Sequence, residues 1–215
     1  MSKIPGYPKT ARAALVVFEA PNPIPSVITL QYNPDKMQRD VKASAIEGGA
    51  RSDAFRLTGA PVETIKMEVW FDATDKLAEG DPFTIANGIY PQLASLEMLL
   101  APSSAVVVAN SIMLAAGTIE ILPASAPFLI LVWGKRVLPV RMAGLSVGEE
   151  AFDVNLNPIR AKVGLDFTVL TYSDLEQSHP GYAMYLGHQI VKEQMGRATR
   201  AGTVASILSQ KLSTN

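Results

Sequence analysis

Catalysis would need a nucleophile, a base and a group to orient them, or a cluster of metal ligands, so the reactive side chains come first. The chain has two histidines. His179 precedes a Pro-Gly turn, and His188 falls in a helical pattern without the Glu-x-x-His or His-x-x-x-His companion of a metal helix. Both read as structural residues. In Phe71-Asp72-Ala73-Thr74-Asp75 two carboxylates stand three apart at a strand end, the outline of a cation or acid-base site. The further oxygens of a calcium loop are missing, and Asp and Thr at a strand end suit the capping of backbone donors. Neighbouring strand residues point to opposite faces, so Glu149 and Glu150 suit ion pairs with Arg141, Arg160 or a neighbouring subunit better than a carboxylate dyad. Gly48-Gly49 is followed by neither Gly-Lys-Ser/Thr nor a helical pattern, which leaves no phosphate loop.

The remaining cluster is basic: Lys36, Arg39, Lys42, Arg51 and Arg56 gather loosely, with Tyr32 and Phe55 as a thin aromatic complement. Single-strand binding needs more stacking surface than that, so these charges read as solvated or subunit-bridging. The formal net charge of -1 supplies no bulk attraction to nucleic acid or anionic membrane. Cysteine is absent, which removes disulfides, thiolate metal sites and a cysteine nucleophile and suits a reducing cytoplasm. No catalytic residue, cofactor or metal is expected. Residues 1–10 hold no apolar run of signal-peptide length. The most lipid-like stretch, 105–118, is too short to span a bilayer, includes Asn110 and meets Glu120 and Pro123 soon after. A buried segment or an inter-subunit hairpin is expected there. Only 18% of the 215 residues are charged, against about 25% in ordinary soluble domains. Surface buried in an assembly would account for the difference.

The elements that must position these residues read mostly as strands. Residues 13–20 and 27–32, separated by Pro21, Pro23 and Pro25 and closed by Asn33-Pro34, predict a hairpin. Residues 37–57 read as a loop flanked by weak strands. The stretch 63–72 alternates cleanly, with Ile65, Met67, Val69 and Phe71 on one face and Lys66, Glu68, Trp70 and Asp72 on the other. Trp70 on the polar face marks either a partner surface or a second layer. Pro91, Leu93, Leu96, Leu99 and Leu100 predict a short helix. Residues 105–122 fit two strands or a helix, with the balance toward strands. A meander follows: 128–133, a turn at Gly134-Lys135, and a return over 137–142 in which Pro139 implies an edge or bulge. Gly144 breaks or bulges that return, Asn157-Pro158 makes a turn, and 160–172 alternates as the last strand. Beyond Pro180 a helix is predicted to about Gly196, with a second short helix from there. The expected fold is mainly β (α+β): an antiparallel β-sandwich or open barrel over 1–178, with one internal helix, and a helical segment over 179–215.

Several strings, in order, resemble the tube and baseplate-hub family of contractile injection systems, the phage-tail-like particles. They are carried by Tyr32-Asn33-Pro34 after Leu30-Gln31, by Phe71-Asp72 and Asp75 after Val69-Trp70, and by Pro91-Gln92-Leu93. Further on come Trp133-Gly134, Leu138-Pro139, Glu150-Ala151-Phe152 and Asn157-Pro158-Ile159-Arg160. The resemblance implies a tail-tube-like domain that packs into a ring, in all expectation a homohexamer. It further implies that the ring connects the spike and hub to the inner tube and initiates tube assembly. The implied partners are other copies of the chain, inner-tube subunits, the spike or hub protein and baseplate wedge proteins, with no nucleic acid and no membrane insertion. Assembly would occur in the cytoplasm. Family members commonly carry a LysM-like module after this domain, and here a helical tail to Asn215 stands in that place. Other readings are a main inner-tube or inner-baseplate component and, in a different class, a small-ligand-binding β-barrel.

Overall fold

A computed structural model describes residues 11–19, 24–45, 56–117 and 125–212. Seven strands form one antiparallel sheet: β1 (Ala14–Phe18), β2 (Ser26–Thr29), β3 (Met37–Lys42), β4 (Val62–Asp72), β5 (Phe128–Trp133), β6 (Arg136–Phe152) and β7 (Pro158–Val169). Their order across the sheet is β2-β1-β5-β6-β7-β4-β3. Alternation decides which face turns inward. Ile65, Met67, Val69 and Phe71 of β4 are buried, as are Ala161, Val163, Leu165, Phe167 and Val169 of β7. These pack with Leu15, Leu129, Leu131, Leu138 and Val140 of the neighbouring strands in one core.

The sheet curls. In a flat sheet β2 and β4 would lie five strand spacings apart, roughly 24 Å. Instead Gln31, just past β2, reaches the end of β4: its Nε2 donates to the Asp72 carbonyl at 2.7 Å, and its Oε1 accepts from the Asp72 N–H at 2.9 Å. One side-chain amide thus takes the place of a strand partner across the gap. Asn33 does the same for β1, accepting from the Ala13 N–H at 2.9 Å and donating to the Ala11 carbonyl at 2.8 Å. Of the two architectures expected, the open barrel describes this sheet.

Helices cap both mouths. Where β4 ends and β7 begins sit α1 (Thr74–Ala78), α2 (Pro82–Asn87) and α3 (Tyr90–Glu97). Leu93, Leu96 and Leu99 enter the core from there. Asp81 caps α2 by accepting from the Thr84 N–H at 3.0 Å, and Pro82 fits the first helical position. Gly88 ends the helix with φ +59 and packs so closely on β7 that a Cβ would lie 2.1 Å from the Pro158 carbonyl oxygen. At the other mouth lies α5 (Pro180–Leu212). Tyr185 of α5 is buried, and its ring meets Tyr172 edge-on. Glu63, 1% exposed on the inner face of β4, binds Arg39 of β3 through Nε at 2.7 Å and stands 3.8 Å from Lys192 of α5. Burying this carboxylate is tolerable because both cations face it.

Several expectations change. Residues 105–115 are helical: α4 spans Ser104–Ala115, while 118–122 lie outside the described residues. The β-branched run Val106-Val107-Val108 favours a strand locally, but a strand needs a partner edge and a helix satisfies its own backbone groups. Among the described residues four helices therefore precede α5 where one was expected. Pro139 is in neither an edge strand nor a bulge; it sits in β6, between β5 and β7. The Leu170 N–H donates to its carbonyl at 2.9 Å. In an antiparallel strand the N and C=O of one residue point the same way, so the missing N–H falls just beyond Val169, where β7 has ended. The register shifts instead between Met142 and Gly144, and again near the end of β6 between Glu149 and Ala151 and between Ala151 and Phe152. Part of the expected 37–57 loop is the paired strand β3, and Gly48, Gly49, Arg51 and Phe55 lie outside the described residues. The C-terminal segment is one helix, with no break at Gly196. The turn at Gly134-Lys135 joins β5 to β6, with Gly134 at φ +57 as a hairpin turn of this type requires.

Replacing Gln31 by Ala strands both backbone groups of Asp72 and is expected to cost about 1–3 kcal/mol. Gln38→Ala, on the exposed side of β3, should stay within about 0.5 kcal/mol. Urea unfolding of the two variants measures the contrast. Gly88→Ala meets both a positive φ and a backbone collision, so its loss should exceed about 2 kcal/mol in the same assay.

Candidate assembly surfaces

The outer face of the sheet carries paired charges. Lys66 of β4 stands opposite Asp166 of β7, with Nζ to Oδ2 at 3.2 Å, and Asp72 stands opposite Arg160, at 2.8 Å. Lys162 reaches diagonally to Glu68 at 2.9 Å and lies 6.0 Å from the centre of the Trp70 ring. Trp70 is 37% exposed, and among the described residues no second layer covers it. Three cations are thus each matched by a carboxylate. Exposed pairs of this kind contribute little stability, with a median of about 0–1 kcal/mol. They do set a pattern that a partner must match.

Asp72 is the busiest joint. Besides the backbone bonds with Gln31 and the pair with Arg160, its Oδ1 accepts from the Thr74 N–H at 2.8 Å and from the Thr74 hydroxyl. Burial alone would raise its pKa, but the Thr74 hydrogen bonds and the Arg160 guanidinium hold it below the ordinary value. The strand-end cap read from the sequence is present. Arg160 is engaged by Asp72, so it is not the partner expected for Glu149 and Glu150. Asp75 lies in the first turn of α1. His179 is a turn residue: its Nδ1 accepts from the Gly181 N–H at 3.1 Å and its ring meets Phe128 edge-on. His188 is a half-buried residue of α5, and burial, then Lys192, depresses its pKa. Among the described residues no three His, Asp or Glu side chains gather as a metal site.

The family-like residues fall into three clusters, with Glu150 apart from them. Phe71, Asp72, Asp75, Phe152, Asn157, Pro158 and Arg160 meet at the α1–α3 mouth, where the Ile89 N–H donates to the Pro158 carbonyl at 2.8 Å. Trp133, Gly134 and Pro139 lie at the opposite end of the meander. Tyr32 and Pro34 line an open groove on the outer face with Trp70. Glu150 is exposed near the end of β6. Most of these residues shape the fold.

The α2 and α3 side of this mouth exposes apolar side chains. Phe83, Ile85 and Tyr90 are 64%, 52% and 57% exposed. The β6–β7 tip projects from the same end, with Val154 98% exposed and Leu156 79%. The Asp153 carboxylate holds this tip, accepting from the N–H groups of Asn155 at 2.7 Å and Asn157 at 2.8 Å and from the Asn157 amide at 2.8 Å. Leu156 has φ +66, a costly conformation for a bulky residue. Two apolar side chains thus stand in water at the tip, one of them on a strained backbone.

A curled antiparallel sheet with an apolar helical mouth is the architecture on which a family comparison can bear. The family model described as contractile injection system tube protein matches residues 10–178. The chain belongs to that family. No curated protein matches this tube protein. Its role is therefore structural, as a tube component of a contractile injection system. No helix among the described residues is long and apolar enough to cross a membrane.

One signal in this tube protein's sequence escapes a motif reading. From Pro82 to Gly117 a single residue, Glu97, is charged, where the chain's average would put about six. Counting charges along the chain finds the apolar mouth. Nothing in the sequence marks Gln31 or Glu63 for their roles.

Asp81 and Asp153, like Asp72, have depressed pKa values, Asp81 chiefly through Thr84 and Asp153 chiefly through Asn157. A depressed carboxylate stabilises fully above its unfolded value of 3.8 and loses that contribution as pH falls through the lower folded value. All three serve the α1–α3 mouth. Hydrogen exchange below pH 3.8 should therefore show the β6–β7 tip and α2 opening before the middle of β7, and Asp153→Asn should open the tip already at neutral pH.

Proposed function

We propose that this tube protein forms a homohexameric ring that joins the spike and baseplate hub to the inner tube and templates the tube's first layer. The observation that carries this reading is the unlikeness of the two ends of the barrel. One end exposes the apolar side chains of α2 and α3 beside a fixed hairpin tip, and the other is closed by α5 through Tyr185 and the Glu63–Lys192 pair. A subunit with two different contact surfaces associates head to tail, and such contacts close into rings when the rotation per step allows. A ring placed between two different neighbours likewise needs two different ends. Spike and wedge proteins on one side and inner-tube subunits on the other are its partners, and its chemistry is assembly rather than catalysis.

The family description, tube protein, favours a second reading, that of a main tube subunit present in many stacked rings. Copy number separates the two. Mass photometry of the purified chain should show a species six times the 23.1 kDa subunit, and a reconstruction of assembled particles should show one layer of it next to the hub. A strictly monomeric chain absent from particles overturns both readings, and many stacked layers leave only the second.

A further inference from the structure

The chain's two histidines both belong to the seating of α5. His179 stands directly before the helix, and its Nδ1 accepts from the Gly181 N–H at 3.1 Å. It therefore acts as an N-cap, satisfying a first-turn donor that the helix cannot satisfy itself. Imidazole fills this place only when neutral. A protonated ring has two N–H donors and no acceptor, so it would strand the Gly181 N–H and set a positive charge against the positive end of the helix dipole. From β5 the apolar ring of Phe128 faces His179, and the carboxylate on its own loop, Glu176, is turned to the Ser178 hydroxyl at 3.5 Å.

His188 lies three residues after Tyr185 and four before Lys192, on the face that α5 turns to the barrel. Its ring is half-buried, and its Nε2 is buried with no hydrogen-bond partner among the described residues. In the neutral ring that nitrogen can remain a bare acceptor. A proton there would make a buried N–H without an acceptor and add a cation to the field of Lys192 on α5, Arg39 on β3 and Arg136 on β6. Glu63 of β4 opposes them, but Arg39 and Lys192 already engage its carboxylate. The Tyr185 phenol, its pKa raised by burial, stays neutral. Burial first, and Lys192 next, hold the His188 pKa below its ordinary 6.5. Freed from the barrel, the ring regains that ordinary value and takes up a proton more readily than when seated. Seating is thus strongest above pH 6.5 and weakens as pH falls from there toward the lower seated value.

We propose that α5 is a proton-released clasp: it stays on the end of the barrel while His179 and His188 are neutral, and their protonation in mildly acidic water frees it while the sheet stays folded. The two histidines act at separate places, one at the helix start and one under its packed face, so each adds to the release. The clasp operates in a single subunit and does not rest on the ring reading.

Amide hydrogen exchange of the full chain, corrected for the pH dependence of the intrinsic rate, reads the seating, because a helix without its packing partner is only marginally protected in water. Between about pH 7.5 and about pH 5.5 the protection of residues 184–192 should fall at least about tenfold, since each histidine contributes up to about tenfold per pH unit. The middle of β7 should keep its protection. His179→Asn retains an N-cap acceptor that does not titrate, and His188→Leu removes the buried ring. The double variant should hold residues 184–192 at one level across the same range. Three results overturn the inference: unchanged protection in the wild type, an equal loss in the double variant, which assigns the proton to a carboxylate such as Glu63 or Glu176, and a loss over β7 as large as that over α5. Should His188→Leu unseat the helix even at neutral pH, His179→Asn alone decides. A shallower pH dependence than that of the wild type then supports the clasp, and an equal one defeats it.

Discussion

A single antiparallel sheet with one apolar face must hide that face, and this chain does so by curling the sheet on itself. Everything else depends on the join. Between β2 and β4 no ladder of backbone hydrogen bonds closes the barrel; the Gln31 amide, paired with the Asp72 N–H and C=O, holds the gap. Asp72 also ties Thr74 at the start of α1 and Arg160 on β7. One residue thereby fixes the closure, the first turn of the helical cap and the outer face of the adjacent strand. The core is packed from one layer of strands and two helical lids, with the interior filled by side chains such as Phe167, Leu165 and Leu131.

The strands were legible wherever burial imposes a period of two. β4 and β7 alternate because one side touches the core and the other touches water, and the sequence records both environments. The β5–β6 hairpin was equally plain because Gly134 supplies a backbone conformation that other residues resist. Legibility failed where the deciding partner is remote. Pro139 looks like an edge residue because its own sequence cannot say that β7 stops one residue short of it. The residues of α4 look strand-like because three valines speak for the local backbone, while the choice rests on whether any sheet edge is within reach. The closure by Gln31 is invisible for the same reason: an amide bonded to a residue 41 positions away leaves no local mark.

The assembly surfaces divide the same way. The charged face alternates in sequence and was expected as a polar face with Trp70 upon it. The exposed apolar helices were harder to see, because α2, α3 and α4 have the composition of a core. Only the exposure of Phe83, Ile85 and Leu114 shows that these side chains lie at the surface. The low overall charge is concentrated in one run of the chain, Pro82 to Gly117, rather than spread over the whole surface.

The attachment of α5 has a mechanical meaning. Tyr185 and Lys192 grip the barrel two turns apart, about 10 Å along the helix axis. A rod held at one point swivels, whereas a rod held at two transmits torque. The helix runs on for five further turns beyond Lys192, so a twist or sideways push applied to its far end is delivered through Glu63 and Tyr185 into the strands of the sheet.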